Sequence, residues 1–371
     1  MLEAILVLVL NFGMVFASSI WQRRKRQGRK LMPKSSIIIL AIIALVLLSS
    51  CAKRNTEYQE EEWLTLRNAI PVVGNPLDIK IDDNYIYVAQ DQGGMSRINR
   101  NNYQVKWITE FWAADGTEKI LGRIKKVAVV PEHNFMFIVD TEATDAIRVI
   151  DTTDEDSLVY KLDFIGGTSN IKDLDGFAIT PVPFSQGTYK MVCSYCAAGS
   201  FKYDYYDGTI FNSNVFTISP GAAAGCKISG NYIYIAAEQL GLYIYDRNDR
   251  HPVGNIHLSG EAQKVELSGN IAYVAGRQSG LHIVDVSNPA SPVLLSTFDT
   301  TGYATALAVS GNKLALSSGS GGIYLFDISN PSKPQLLQHL TSCGYTNTVK
   351  FMDDKLVVGA RDQGILIYEI K

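Results

Sequence analysis

Short stretches of alternating apolar and polar residues recur along this chain about every 40 residues. In the clearest copies, a glycine leads an alternating strand that ends at an aspartate, at residues 241–246, 280–285 and 322–327. Alternation with a period of two is typical of β-strands. One such repeat cannot bury both faces of its own sheet, so the pattern predicts repeats that are arranged in a ring or a stack.

Each repeat also contains a tight turn between its first two strands, where asparagine, aspartate or glycine separates two apolar alternations. These turns are at Asp83-Asn84, His133-Asn134, Gly187-Thr188, Gly230-Asn231, Gly269-Asn270, Gly311-Asn312 and Asp353-Asp354. Strands three and four follow in most copies. The sequence therefore predicts seven repeats of up to four strands each.

The two ends of the repeat region complement each other. The seventh repeat stops after its third strand at residues 365–369, while residues 63–67 form an isolated strand pattern before the first repeat. A ring that was left open would expose two sheet edges. We therefore expect residues 63–67 to become the outer strand of the last repeat. The fold predicted for residues 63–371 is all-β, a seven-bladed β-propeller closed by its N-terminal strand.

Two repeats carry a more specific motif. Residues 281–289 read Leu-His-Ile-Val-Asp-Val-Ser-Asn-Pro and residues 323–331 read Ile-Tyr-Leu-Phe-Asp-Ile-Ser-Asn-Pro, each with a second proline, at Pro292 and Pro334. This resembles the LVIVD-repeat proteins. The resemblance implies a bacterial propeller outside the cytoplasm, often a lipoprotein, and implies no reaction.

The aspartates of this motif have a structural explanation. Asp246, Asp285 and Asp327 are followed by polar residues, and an aspartate at such a place accepts hydrogen bonds from the backbone of its own turn. We therefore predict that these three residues hold turns and are not catalytic.

The N-terminal part of the chain predicts an export signal. Residues 37–48 are an unbroken apolar run preceded by Lys34 and followed by Ser49, Ser50 and Cys51. This order is typical of a secretory signal and is too short for a comfortable membrane span. The ending resembles a bacterial lipobox, which implies a signal peptide at residues 32–50 and lipid on Cys51. The alternative is a plain membrane anchor in which Cys51 is incidental.

The flanking segments raise two further points. Residues 1–31 contain a second apolar stretch and a basic cluster, so they represent either a start assigned too early, with Met32 as the initiator, or an extra membrane helix. Ala52 follows the lipid site, and by the sorting rule of enteric bacteria it predicts the outer membrane. The polar residues 51–62 predict a tether.

Charge limits the partners of the exported part. Residues 1–50 hold seven of the 34 Lys and Arg and one of the 37 Asp and Glu, so residues 51–371 have a net charge of −9. A body this acidic repels phosphate backbones, and we therefore expect no binding of nucleic acid. The five cysteines are too few for a disulfide framework.

Polar residues concentrate where the second strands end, on the face that surrounds the channel of a propeller. The candidate contact residues there are Asp91, Asp140, Glu238, Arg277 and Arg361. The segments leading into the first strands add Asp78, Lys125, Lys126, Asp175, Gln263, Lys264, Tyr303 and Tyr345. These side chains form either a ring that binds a polar ligand or a solvated face of mutually paired charges.

Charged residues also occur within the first strands. Lys80, Lys227, Glu266 and Lys350 alternate with apolar neighbours, so they either face a water-filled channel or pair locally between blades.

The third repeat contains two unusual segments. Cys193 and Cys196 form a single Cys-x-x-Cys at a predicted strand end, which lacks the second ligand pair of a zinc site and is interpreted as structural or incidental. Residues 203–208 are rich in tyrosine and aspartate. They predict either a rigid recognition edge or an irregular loop between strands three and four.

These features predict a lipid-anchored binding module of the cell envelope, without catalysis, whose ligand is an envelope protein or a glycan. The alternative is a propeller hydrolase or lyase acting on glycans, with calcium held by Asp91, Asp140 and Glu238 because calcium prefers oxygen ligands.

Overall fold

The computed structural model describes residues 62–371, apart from residues 142–145, 155, 165–169, 185–186 and 210. Glu62–Lys371 forms one compact unit. The described residues fold into seven sheets, and this part of the chain contains no α-helix. The predictions for residues 1–31, the signal peptide, Cys51 and the tether up to Glu61 lie outside the described residues.

The sheets are the blades of a propeller, numbered here in chain order, and each blade is given from its first strand. Strand β1 (Leu64–Ile70) precedes blade 1, which consists of β2 (Asp78–Ile81), β3 (Tyr85–Ala89), β4 (Met95–Asn99) and β5 (Val105–Ile108). A hairpin of β6 (Glu110–Ala113) and β7 (Glu118–Ile120) leads into blade 2. Blade 2 contains β8 (Ile124–Val130), β9 (Phe135–Asp140), β10 (Ala146–Asp151) and β11 (Val159–Phe164), with a short 3-10 helix at Pro131–His133.

The other blades repeat this order. Blade 3 consists of β12 (Ile171–Phe184), β13 (Gly187–Ala197), β14 (Gly199–Tyr206) and β15 (Phe211–Ala223). Blade 4 consists of β16 (Gly225–Ser229), β17 (Tyr232–Ala236), β18 (Leu242–Asp246) and β19 (Pro252–Ile256). Blade 5 consists of β20 (Lys264–Ser268), β21 (Ile271–Ala275), β22 (Leu281–Asp285) and β23 (Val293–Phe298). Blade 6 consists of β24 (Ala306–Ser310), β25 (Lys313–Ser317), β26 (Ile323–Asp327) and β27 (Gln335–Leu340). Blade 7 consists of β28 (Thr346–Met352), β29 (Lys355–Ala360), β30 (Gly364–Ile370) and β1.

The ring is closed by the N-terminal strand, as the sequence predicts. Strand β1 pairs antiparallel with β30, from Leu64 opposite Ile370 to Ile70 opposite Ile365. Around the ring, the first strand of every blade contacts the first strands of both neighbouring blades. The seven first strands therefore surround a central channel, and the predicted seven-bladed propeller is confirmed.

The glycine that leads the third strand has a steric reason. Gly241, Gly280 and Gly322 have φ angles of +91°, +73° and +78°, which side chains rarely adopt. A Cβ atom at these residues would lie 2.2, 2.2 and 2.0 Å from the carbonyl oxygens of residues 256, 298 and 340. The repeat needs glycine here because the fourth strand passes against its backbone.

The motif aspartates hold turns, as predicted. The N–H of Ser287 donates to Asp285 Oδ1 at 2.8 Å, and that of Ser329 donates to Asp327 Oδ1 at 2.7 Å. Asp246 accepts the equivalent bond from the backbone of residue 248 at 2.7 Å. These bonds fix the turn between strands three and four of each blade.

The core lies between neighbouring blades, where the alternating side chains of one sheet meet those of the next. Between blades 5 and 6, for example, Tyr273 and Leu281 pack with Leu316 and Phe326. Each blade therefore depends on both of its neighbours for burial, as expected of a repeat protein.

Most of the tyrosine-rich segment of the third repeat, residues 203–206, is a strand rather than an irregular loop, and only Asp207 and Gly208 follow the strand. It lies in β14, where Tyr203 and Tyr206 are fully buried. Tyr203 packs among residues of blades 3 and 4, and Tyr206 contacts Phe137 of blade 2. A three-residue spacing in a strand sends two side chains to opposite faces, so the pair fills both inter-blade contacts.

Two other features differ from the prediction. Gly187 and Thr188 are not turn residues but belong to β13, where they pair with residues 184 and 183. The β6–β7 hairpin was not predicted. It joins blade 2 through parallel pairing of β6 with β11, which extends that sheet to six strands.

The two cysteines of the third repeat are packing residues of a strand. Cys193 and Cys196 are buried in β13 and form no disulfide with another described cysteine. Burial, together with the carboxylate of Asp204, raises the pKa of Cys193 well above its usual value. This thiol is therefore protonated and unreactive at neutral pH.

Ring closure predicts a contrast between two leucines of β1. Leu64 is 2% exposed and Leu66 is 48% exposed. Leu64→Ala should lower the free energy of unfolding by about 2–4 kcal/mol because it leaves a cavity beside β30. Leu66→Ala, the matched control, should change it by less than about 0.5 kcal/mol. Urea denaturation measures both, and equal effects would contradict the role of β1 in closure.

Candidate functional site

The first strands of the blades enclose a cavity of about 400 Å³ in the central channel. Its walls come from all seven blades, mainly from the first residues of each first strand. Eight charged side chains line it: Lys80, Lys125, Lys126, Lys172, Lys264, Lys350, Asp78 and Asp173. We call this space the channel cavity.

Strand alternation brings these charges to the channel. In β2 the fully buried Ile79 separates Asp78 from Lys80, and in β20 the buried Val265 separates Lys264 from Glu266. Residues two apart in a strand lie on the same side. Among the first-strand charges, Lys80 and Lys350 line the channel cavity, whereas Lys227 pairs with Glu266 of the neighbouring blade at 2.8 Å.

One buried ion pair in the channel runs from blade 3 to blade 5. Lys264 Nζ donates to both oxygens of Asp173, at 2.6 and 2.8 Å, and the backbone N–H of Cys226 donates to the same carboxylate at 2.9 Å. Burial disfavours both charges, but each is outweighed by its partner. The pKa of Asp173 is therefore lowered and the pKa of Lys264 is raised well above its usual value.

A second ion pair spans the channel from blade 1 to blade 3. Lys80 Nζ donates to Asp175 Oδ1 at 2.8 Å. Burial again opposes the charges. The attraction of Lys80 nevertheless holds the pKa of Asp175 far below its usual range, and the carboxylates of Asp175 and Asp78 raise the pKa of Lys80.

Lys350 lacks a partner of this quality. Its Nζ lies 4.0 Å from Glu266 Oε1, and Glu266 already binds Lys227. Burial lowers the pKa of Lys350 to about 8, and the nearby Lys80 and Lys264 act in the same direction against the attraction of Glu266. Within the described part of the chain, Lys125 and Lys126 form no ion pair.

Three of the candidate contact residues hold neighbouring blades together through their backbone. Asp91, Glu238 and Arg277 have φ angles of 55°, 41° and 51°. Each forms an isolated antiparallel bridge with a residue that leads into the next blade, at residues 124, 262 and 304. These bridges also place the loops between the second and third strands on the face where the first strands begin. We call this the channel-mouth face.

The side chains of these candidates have local partners. Arg123 donates to both oxygens of Asp91, at 2.8 and 3.0 Å. Glu238 accepts from Lys172, and Arg277 donates to Glu261.

The other two candidates differ in exposure. Asp140 is only 2% exposed, lies 3.3 Å from an Arg148 nitrogen and accepts the N–H of Gly122 at 3.1 Å. Arg361 is exposed and stacks over the Tyr345 ring, 3.9 Å from its centre.

None of the five candidates lines the channel cavity directly, although Glu238 contacts Lys172 and Arg361 contacts Tyr345, which both line it. The residues predicted in the segments leading into the first strands coincide better with the lining of the channel cavity than the five candidates do. Six of their eight predicted residues line the cavity, namely Asp78, Lys125, Lys126, Gln263, Lys264 and Tyr345, whereas Asp175 and Tyr303 do not. Lys172 and Asp173 were missed because the irregular third repeat hides where its first strand begins.

The donor set for calcium is not assembled here. Among the described residues, no group of three or more His, Cys, Asp or Glu side chains is placed to hold a metal ion. Asp91, Asp140 and Glu238 each pair instead with an arginine or lysine. Calcium binding stays a prediction of the sequence. In the described residues, no helix has the length and apolar character needed to span a membrane.

The pairing of Lys264 with Asp173 predicts a large effect of breaking it. Lys264→Met should lower the free energy of unfolding by about 3–5 kcal/mol because it leaves the buried Asp173 carboxylate uncompensated. Adding Asp173→Asn to that variant should recover part of the loss. Lys333→Met at an exposed lysine is the control. Urea denaturation that showed the same small effect for Lys264→Met and Lys333→Met would refute the pairing.

The comparisons with known families find LVIVD repeats in this chain. The LVIVD repeat matches at residues 73–96, 220–246, 259–300 and 301–341. These stretches include the two motifs of blades 5 and 6, and together they make up less than half of the chain. No curated protein matches the sequence.

Solved structures that are similar to this chain are propellers. The computationally designed Ika8 protein is 16% identical, with a TM-score of 0.55 over 82% of this chain and 100% of its own. The β-propeller domain of Cps50 (Swd1) from Myceliophteria thermophila is 10% identical, with a TM-score of 0.61 over 83% and 100%. U3-55K is 12% identical, with a TM-score of 0.64 over 84% and 99%. Identities this low establish the fold alone.

Proposed function

We propose that this chain is a non-catalytic binding module, anchored to the cell envelope by lipid on Cys51, whose channel-mouth face contacts an envelope protein or a glycan. The propeller fold with LVIVD repeats suits an interaction module. The support for the lipid anchor and the envelope location is the sequence at residues 49–51, which resembles a bacterial lipobox.

The observation that carries the binding proposal is a pair of arginine–tyrosine contacts on the channel-mouth face. Arg361 stacks over Tyr345, which lines the channel cavity, and Arg277 lies over Tyr303 with 5.1 Å to the ring centre. Tyr303 is 46% exposed. Arginine and tyrosine are enriched among the residues that dominate binding energy at interfaces.

The channel-mouth face is also rigid. The backbone bridges of Asp91, Glu238 and Arg277 tie each loop to the next blade. Residues held this way lose little conformational entropy when a partner binds, which favours affinity. The alternative, a calcium-dependent enzyme that acts on glycans, is supported only by the sequence positions of Asp91, Asp140 and Glu238.

The channel-mouth face predicts that two arginines control recovery of the partner. Arg277→Ala with Arg361→Ala should reduce the amount of crosslinked partner by about tenfold, because two charged and stacked contacts are lost. The measurement is a crosslinked pull-down from native envelopes with a tag after Lys371, followed by mass spectrometry.

The control for this experiment is Arg67→Ala, which removes an exposed arginine paired with Glu369 on the outer strands. Its recovery should equal that of the unchanged protein. Undiminished recovery with the double variant would refute the assignment of the face. If the unchanged chain recovered no protein, an envelope protein would be excluded as the ligand, and a glycan would remain the proposed ligand.

Lipid on Cys51 predicts where the protein fractionates. Cys51→Ser should move it from the membrane to the soluble fraction, because the lipid supplies the hydrophobic attachment. In an enteric host, Ala52→Asp should leave it on membranes but shift it from the outer to the inner one. Membrane fractionation with immunoblotting tests both, and unchanged membrane association of Cys51→Ser would mean that another segment anchors the chain.

A further inference from the structure

The channel cavity carries more positive than negative charge, although the chain from residue 51 onward is acidic. Among the described residues, seven lysines in and beside the cavity face five carboxylates. The lysines are Lys80, Lys125, Lys126, Lys172, Lys227, Lys264 and Lys350, and the carboxylates are Asp78, Asp173, Asp175, Glu238 and Glu266. The cavity therefore holds a surplus of positively charged side chains in a protein whose net charge is otherwise negative.

The surplus of positive charge comes from three of the seven lysines. Four of the seven have a close carboxylate partner, as described above, whereas Lys125, Lys126 and Lys350 do not. These three come from β8 and β28, the first strands of the two blades on either side of blade 1, and all three line the cavity. Lys350 is 4.0 Å from Glu266, and Lys126 helps to lower the pKa of Asp173, but both carboxylates bind other lysines, so these half-buried ammonium groups are only weakly compensated in the empty site.

The geometry points to an anion-binding site in the channel cavity, where a carboxylate or phosphate group of the ligand binds Lys125, Lys126 and Lys350. This inference rests on the proposal that the channel-mouth face binds a partner, and it adds the chemistry of the group that enters the channel.

Charge and size both favour such a ligand. Charge-assisted hydrogen bonds from lysine to carboxylate or phosphate are among the strongest in proteins. An anion of charge about −2 would offset the surplus of lysines over carboxylates, whereas a cation would be repelled and a neutral sugar would leave the charges unbalanced. A volume of about 400 Å³ also falls within the usual range for small-ligand pockets.

Lys350 gives the site a characteristic dependence on pH. The groups that act on it are Lys80 and Asp78 of β2, and Lys264 and Glu266 of β20. Because its pKa is about 8, part of its charge is lost as pH rises through 8, while Lys80 and Lys264 have raised pKa values. An anion stabilises the ammonium form of Lys350, so binding should take up protons near pH 8 and weaken above it.

The test is calorimetric titration of the full chain in detergent with citrate, as the carboxylate probe, and with inorganic pyrophosphate, as the phosphate probe. At about pH 7 and low salt, one anion per chain should bind. Lys125→Met with Lys126→Met, and separately Lys350→Met, should each weaken binding by about tenfold or more, because each removes charged donors. Lys333→Met, at an exposed lysine outside the cavity, should leave binding unchanged.

Both probes together decide the ligand class. Preference for citrate assigns a carboxylate, and preference for pyrophosphate assigns a phosphate. The inference is overturned by no saturable binding of either probe at millimolar concentration, or by equal binding to the cavity variants and the unchanged chain. Because two variants remove lysines from different strands, misfolding of one, seen by circular dichroism, leaves the other as the test.

A substitution at Lys350 separates its charge from its structural role. Lys350→Arg should keep binding at about pH 7 but lose most of the weakening between about pH 7 and about pH 9.5, because arginine stays charged. In the unchanged chain, that weakening should be on the order of tenfold. If anions fail to bind while Arg277→Ala with Arg361→Ala still abolishes recovery of the partner, the anion site is wrong and the binding face remains.

Discussion

The pairing of β1 with β30 is the constraint on which the rest of this structure depends. It joins residues about 300 positions apart into one blade and leaves no gap in the ring of first strands. Each blade buries its faces only against its neighbours, so an open ring would expose both terminal blades. Closure also fixes the channel at its centre. The charged residues of five distant segments meet there only because the first strands are held at one distance from a common axis.

Closure of the ring buries charged side chains in the channel, and their charges are only partly balanced by one another. Lysines and carboxylates of the first strands leave bulk water, which disfavours their charged forms. Asp173 and Lys264, and likewise Asp175 and Lys80, compensate each other across the channel. Lys350 is compensated less, and its lowered pKa records that imbalance. A site that is incompletely neutralised when empty is prepared for a ligand of opposite charge. The packing of the surrounding blades holds its lysines in place despite their unfavourable burial.

The sequence predicted those parts of the fold that depend on local pattern. Period-two alternation, the glycine before most third strands and the Asp285 turn are all set by neighbours in the chain, and the missing strand of the last blade showed where β1 would pair. Contacts between distant segments were not visible in this way. Lys264 and Asp173 lie 91 residues apart. Tyr203 and Tyr206 looked like surface residues because nothing local indicates that two blades cover them. The loops after the second strands do lie on the channel-mouth face, but the channel cavity is lined by the start of the first strands rather than by Asp91, Asp140, Glu238, Arg277 and Arg361.

The proposed function requires that the channel-mouth face, and not the outer edge of the blades, contacts the partner. Site-specific photocrosslinking in living cells tests this most directly. A photoreactive phenylalanine at Tyr303 probes the face, and one at Val293 probes the outer strand β23, since these residues are similarly exposed at 46% and 54%. We expect a discrete crosslinked product from residue 303 and none from residue 293. A product from residue 293 alone would contradict the proposed function.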